Sequence, residues 1–255
     1  MAQARPYYGD KGFSTAFYDR VTGLDARLAG DVEIYADLAP AGGAVLELGA
    51  GTGRVTFALA ALGHRVTGID LAPAMLAQAQ AKRIGLAADV AARIELRLGD
   101  MTSVDLKRTF ALVVCPYFTL AHVPAGAAWR NTFATAARHL DTGGLAAFHL
   151  PRMEIMRAPG PADPSQPVMA EPLPEGGKLL LFVRSRTFRE AIGRLDQVIE
   201  YAVADATGTI RDRSAERLTY YMADPEPAAA TAGLTLDRPP IDLGGVGDVW
   251  VFRKG

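Results

Sequence analysis

The chain has 255 residues, 49% of them hydrophobic and 22% charged, with a formal net charge of −1. That composition supplies one large core and excludes a disordered chain, and the charge balance argues against nucleic acid as the main partner, because phosphate contacts call for a basic surplus. No apolar run is long enough to span a bilayer, and Met1 to Gly12 lacks the apolar core of a signal peptide, so no membrane association is expected. Cys115 is the only cysteine, which rules out an intrachain disulfide and suggests a cytoplasmic protein.

In chain order, residues 13 to 39 come first. Phe17, Val21, Leu24 and Leu28, then Val32, Ile34, Tyr35 and Leu38, recur at helical intervals on either side of Gly30. Val45, Leu46 and Leu48 have the apolar character of a strand buried on both faces. That strand runs into Gly49-Ala50-Gly51-Thr52-Gly53, a turn on which a ligand can sit against bare backbone, and residues 54 to 62 read as the helix that follows. A second strand ends at Asp70, about 20 residues beyond the first glycine, where a carboxylate can accept both hydroxyls of a ribose. Pro73 opens the next helix, Ile94 to Met101 reads as a third strand with its exit, and Phe110 to Val114 as a fourth. A fifth strand follows Asp141-Thr142-Gly143-Gly144.

The alternation of strand and helix predicts an α/β, doubly wound parallel sheet. It breaks after Leu150. Six prolines between Ala158 and Gly177 exclude a helix or a central strand, leaving a surface linker or a substrate lid. Leu179 to Phe188, Leu195 to Ala204 and Arg217 to Met222 then read as strands of a small antiparallel sheet. Its many arginines suit either a salt-bridged face or an anion-binding surface. Asp224 to Ala232 is a short helix stopped by Gly233, and Ile241 to Leu243 and Val249 to Phe252 supply the last two strands. The domains expected are therefore residues 1–150 with 223–255 as the core, and 151–222 as a proline-rich loop and β insert that covers the acceptor or joins a homodimer.

The glycine spacing separates two nucleotide-binding classes. A dinucleotide fingerprint, G-x-G-x-x-G, would need a glycine where Arg54 stands, which weakens the reading as an NAD-dependent oxidoreductase. Glu47 with Gly49, Gly51 and Gly53 instead resembles motif I of the class I S-adenosylmethionine (SAM)-dependent methyltransferases, of the small-molecule type. Asp70, Gly99-Asp100-Met101 and Leu140 to Phe148 follow the same family pattern. The resemblance implies a seven-stranded Rossmann-like sheet whose last strand is antiparallel, an N-terminal helical cap, SAM as cofactor, and methyl transfer to an O or N atom of a small-molecule acceptor. A non-catalytic SAM-binding protein is the other reading.

The resemblance also implies roles. Glu47, Gly49, Ala50, Gly51 and Gly53 would hold the methionine and ribose portions of SAM, and Asp70 the ribose hydroxyls. Asp100 would take the adenine amino group with Met101 packed on the ring, while Leu71, Met75, Cys115 and Tyr18 complete the cofactor site. The open ends of the fourth and fifth strands select Tyr117, Phe118 and Arg152, with Tyr8 from the N-terminal segment, for the acceptor. His122 and His149 are the catalytic candidates; either could equally be a histidine satisfied inside the fold. No spacing indicates a metal site.

Overall fold

The computed structural model describes residues 4–9 and 12–255, so part of the leading Met1 to Gly12 segment lies outside the described residues. The chain opens with β1 (Arg5–Pro6), two short helices, α1 (Phe13–Ala16) and α2 (Tyr18–Gly23), and α3 (Asp31–Leu38). The apolar periodicity over residues 13–39 is helical, but the chain breaks it twice, at Phe17 and at Gly30, whose φ of 92° is open to glycine at no steric cost.

The Rossmann-like part follows: β2 (Ala44–Leu48), α4 (Arg54–Ala61), β3 (Arg65–Asp70), α5 (Pro73–Ile84), α6 (Ala88–Ala91), β4 (Ile94–Leu98), β5 (Phe110–Cys115), α7 (Ala127–Arg138) and β6 (Leu140–Pro151). These strands pair in parallel in the order β6-β5-β2-β3-β4. The chain winds outward from β2 to β4 and then returns to the other side of β2, so the switch point opens at the carboxyl ends of β2 and β5, where such sheets bind ligands. Period-two alternation sends Leu46 and Leu48 to one face, with Trp129, Phe133, Phe148 and Phe252, and Val45 to the other, with Tyr35, Leu59 and Val114. Both faces are covered, which is why these strands are apolar throughout. Truncating a wholly buried leucine here costs roughly 2–5 kcal/mol.

The rest of the chain is α8 (Met153–Arg157), β7 (Met169–Pro172), β8 (Lys178–Arg189), β9 (Arg194–Ala204), β10 (Ile210–Tyr221), α9 (Glu226–Thr231), β11 (Leu234–Leu236), β12 (Ile241–Leu243) and β13 (Gly247–Lys254). β13 lies antiparallel on β6 and carries β11 on its far side, while the short β12 folds back on β13. The large sheet thus has eight strands, β12 being a hairpin return that stands off the main path; β11 is a strand the sequence pattern passes over in favour of β12. A second sheet, ordered β1-β10-β9-β8-β7, is antiparallel except at β1. Part of the proline-rich segment is an edge strand, β7, with Pro172 at its end, where a missing N–H costs little.

Two observations tie this second sheet down. Its arginines form a salt-bridged face, with Arg184 and Arg213 on Glu200, and Arg189 and Arg194 on Asp196. On its other side Leu179, Ile199, Tyr201 and Leu218 pack with Tyr7, Phe13, Phe17 and Val21, so the N-terminal helices are shared between the small sheet and the core. No helix among the described residues is long and apolar enough to cross a membrane.

Candidate active site

A chamber of about 980 Å³ lies at the switch point, a size suited to a cofactor together with a small acceptor. At its inner end sits the glycine turn. Gly49, Gly51 and Gly53 have φ of 78°, 56° and 90°, and a Cβ on Gly49 would run into the Thr119 side chain. A Cβ on Gly51 would meet Met75 and Tyr18 at 3.4 and 3.9 Å, so this glycine keeps the chamber floor bare. Gly68 contributes from β3: a side chain there would strike Ala50 and Thr56, and its absence lets the turn settle on the sheet.

Asp70, at the end of β3, lines the chamber and is fixed by backbone donors. Gly51 N–H donates to Oδ2 at 2.7 Å and Ala72 N–H to Oδ1 at 2.8 Å. Burial raises its pKa, and those backbone bonds hold it back. Each oxygen keeps a lone pair for an incoming hydroxyl. Asp100 is held by Thr102 N–H and Oγ1–H, both at 2.8 Å on Oδ1. Leu71, Met75, Asp100 and Met101 line the same end, with Tyr18 across from Gly51.

Glu47, Ala50, Gly53 and Cys115 stand behind the turn rather than on the chamber wall. Glu47 is buried and accepts from Thr56 Oγ1–H; burial pushes its pKa up to about 8 against the pull of that bond and of Arg54. Arg54, in the place of a third fingerprint glycine, makes a two-pronged pair with buried Asp31, at 2.9 and 2.5 Å. Its role is to anchor α4 to α3. The Cys115 thiol, wholly buried, is pushed up well beyond its usual range.

The outer end of the chamber is aromatic. Tyr8 lies edge-on to Tyr7 (4.5 Å between centroids), Tyr18 (5.7 Å) and His122 (5.5 Å), and Tyr220 also packs on His122, at 4.8 Å. His122 comes from the single turn after β5, and burial alone pushes its pKa down to about 4. Tyr117 and Phe118 both adopt left-handed backbone, φ 48° and 60°, a conformation that costs about 1 kcal/mol or more per non-glycine residue. This kink lays Tyr117 on the chamber wall beside Thr119.

Three residues expected at the acceptor lie off the chamber wall. His149 is wholly buried, away from chamber and solvent: it shares a face of β6 with Ala147, its ring 4.5 Å from Phe118, and a Cβ on Gly247 would come within 2.5 Å of its Nε2. Among the described residues neither of its ring nitrogens has a hydrogen-bond partner, and burial pushes its pKa down to about 4. Phe118 covers His149 instead of lining the chamber. Arg152 also lies outside it, donating to both Asp248 oxygens (3.0 and 2.6 Å) and pairing with Asp242 at 2.5 Å, so that it ties the end of β6 to β12 and β13. Conversely Tyr7, Thr119, Arg217 and Thr219 line the chamber without having been selected as acceptor residues. For the last two the signal was weak, since β10 reaches the site only through long-range pairing. Among the described residues no cluster of three or more His, Cys, Asp or Glu side chains could hold a metal.

The donor set fits SAM: bare backbone at the turn, a fixed carboxylate at the end of β3, and an acid and a methionine after β4. Residues 45–144 match the family model of the methyltransferase domain. Over those residues, which carry the glycine turn, Asp70 and Asp100, the chain is a methyltransferase domain. No curated protein matches it. Among solved structures it is similar to the CcbJ methyltransferase from Streptomyces caelestis (23% identity, 98% of each chain covered, TM-score 0.75). It is also similar to SAM-bound CalS10, an amino pentose methyltransferase from Micromonospora echinaspora (23%, 95% of this chain and 96% of that one, TM-score 0.71). The sugar N-methyltransferase KedS8 from Streptoalloteichus sp. is a third (24%, 100% and 98%, TM-score 0.68). At these identities the likeness is one of fold.

Proposed function

We propose that the chain methylates an amine nitrogen of a small, sugar-sized acceptor. The observation that carries this reading is His122, a half-buried imidazole at the acceptor end whose pKa is pushed down to about 4. A base that weak is poor at removing a hydroxyl proton, yet it is a neutral hydrogen-bond acceptor over the whole physiological range. The phenols around it are no better as bases, since burial raises Tyr7, Tyr8 and Tyr220 well above their usual range and keeps them protonated. An amine entering in its neutral form needs no base before attack, only alignment.

When bound, SAM supplies a methyl on a sulfonium, an electrophile that calls for alignment and a dry site more than for acid–base help. Asp70 would hold the ribose hydroxyls, Asp100 and Met101 the adenine, and the glycine turn the methionine portion. His122 would accept a hydrogen bond from the acceptor N–H and so turn the nitrogen lone pair toward the cofactor end. Tyr8 and Tyr18 exclude water between the two ends. CalS10 and KedS8 are named as acting on an amino pentose and a sugar nitrogen, which supports the same acceptor class here.

Incubation with methyl-labelled SAM and a panel of amino sugars, each paired with its hydroxyl counterpart, tests the proposal. Label on nitrogen in the amino compounds alone is the expected result. Label recovered only on oxygen would overturn it.

A further inference from the structure

Glu216, on β10, is wholly buried, and among the described residues its hydrogen bonds come from two serines. Its carboxylate accepts from Ser214 Oγ–H at 2.8 Å, Ser14 N–H at 3.1 Å and Ser14 Oγ–H. Gly12 makes room for this: a Cβ there would sit 2.7 Å from the carboxylate. Burying a carboxyl group is costly, and strand β10 could carry an apolar residue at that position at lower cost.

What the carboxylate fixes is the hydroxyl of Ser14. That same oxygen accepts the backbone N–H of Tyr8 at 2.9 Å. Tyr8 sits in left-handed backbone, φ 61°, which a non-glycine residue holds only when its surroundings impose it. Its ring stands between the cofactor end, at Tyr18, and the acceptor end, at His122. The connection thus runs from a strand of the small sheet, through one serine, to the ring that divides the chamber. Register pairing of Arg5 with Glu216 and the Tyr7 N–H bond to the Arg217 carbonyl (3.2 Å) align the segment, but neither acts on Tyr8 itself.

We infer that Glu216 is a positioning residue which, through Ser14, locks Tyr8 over the chamber and so holds SAM in place. The inference rests on the methyltransferase reading of the chamber and is independent of whether the acceptor is an amine.

Dissociation of radiolabelled SAM from the intact protein, with no acceptor present, reads the lock directly. Ser14→Ala removes the link while leaving Glu216 two donors, and it should speed dissociation about 10-fold, the effect of one lost hydrogen bond to a charge-fixed group. Glu216→Gln should act in the same direction. The decisive comparison is a double-mutant cycle with Tyr8→Ala. If Glu216 and Ser14 act through the Tyr8 ring, adding Ser14→Ala or Glu216→Gln to Tyr8→Ala should change the rate by less than about 2-fold. Dissociation unchanged in both single variants, or accelerated equally with and without the ring, would overturn the inference and leave Glu216 as a fold anchor. Wild-type SAM binding is measured in the same assay, so a failure of the amine proposal cannot be mistaken for a failure of this one.

Discussion

On the proposed cofactor placement Asp70 does two jobs with one carboxylate, and the second was invisible from its spacing alone. Because Gly51 and Ala72 both donate to it, Asp70→Ala removes a ligand partner and loosens the glycine turn together. The expected outcome is a SAM affinity lower by roughly 10- to 100-fold and a melting temperature lower by a few degrees, whereas a change in stability alone would place the ribose elsewhere. For His122 the prediction follows from its depressed pKa. His122→Asn should keep an acceptor for the amine hydrogen and lose at most about 10-fold in maximal rate, equally at every pH between 6 and 9. A loss of about 100-fold that grows toward low pH would show a true general base and would favour a hydroxyl acceptor. His149 teaches the opposite lesson: its place at the end of the fifth strand was legible, but the direction of its side chain depended on a one-residue register that the pairing of β6 with β5 and β13 fixes.

Elements defined by short-range chemistry were the readable ones. β2, its glycine turn and β3 up to Asp70 follow from apolar runs and glycines within some 25 residues, and they build the inner half of the chamber. The outer half is assembled from β1, the turn after β5, and β10, segments more than 200 residues apart at the extremes, and no local pattern reports that they meet. Arg152 shows why. At the end of β6 it looks free to reach a substrate, until the β12–β13 hairpin brings Asp242 and Asp248 against it. The same hairpin yields a test at this scale. Gly247 starts β13 opposite Pro151, and a methyl there would meet His149 Nε2 and Phe118 Cε1 at 2.5 Å and the Leu150 carbonyl at 2.6 Å. Gly247→Ala should therefore cost about 1–3 kcal/mol in denaturant unfolding. An unchanged midpoint would mean that the Phe118–His149 stack yields freely and cannot be what sets the kink at Tyr117.

For the whole molecule, four ionisable groups held in the fold set how the ligand-free protein should respond to pH. His122 and His149 have folded-state pKa values near 4 against an ordinary 6.5, so each contributes stability present above 6.5 and lost as pH falls from 6.5 toward 4. Burial lowers His139 too, which adds to the same trend. Glu47 runs the other way: its folded pKa of about 8 against 4.5 means that the folded chain holds a proton the unfolded chain has lost, and stability falls as pH rises from 4.5 to 8. Between 4.5 and 6.5 two or more histidines outweigh one glutamate, and between 6.5 and 8 the glutamate acts alone. Thermal stability of the SAM-free protein should accordingly peak near pH 6.5 and decline on both sides. Glu47→Gln, which keeps the acceptor for Thr56 and removes the titration, should abolish the alkaline decline and leave the acid one, raising the pH 8 melting temperature above that of wild type while changing little at pH 4.5. A wild-type curve flat from pH 6.5 to 8, or a Glu47→Gln curve that still falls there, would show that Glu47 is ionised in the folded chain, with the charge of Arg54 close enough to hold it so.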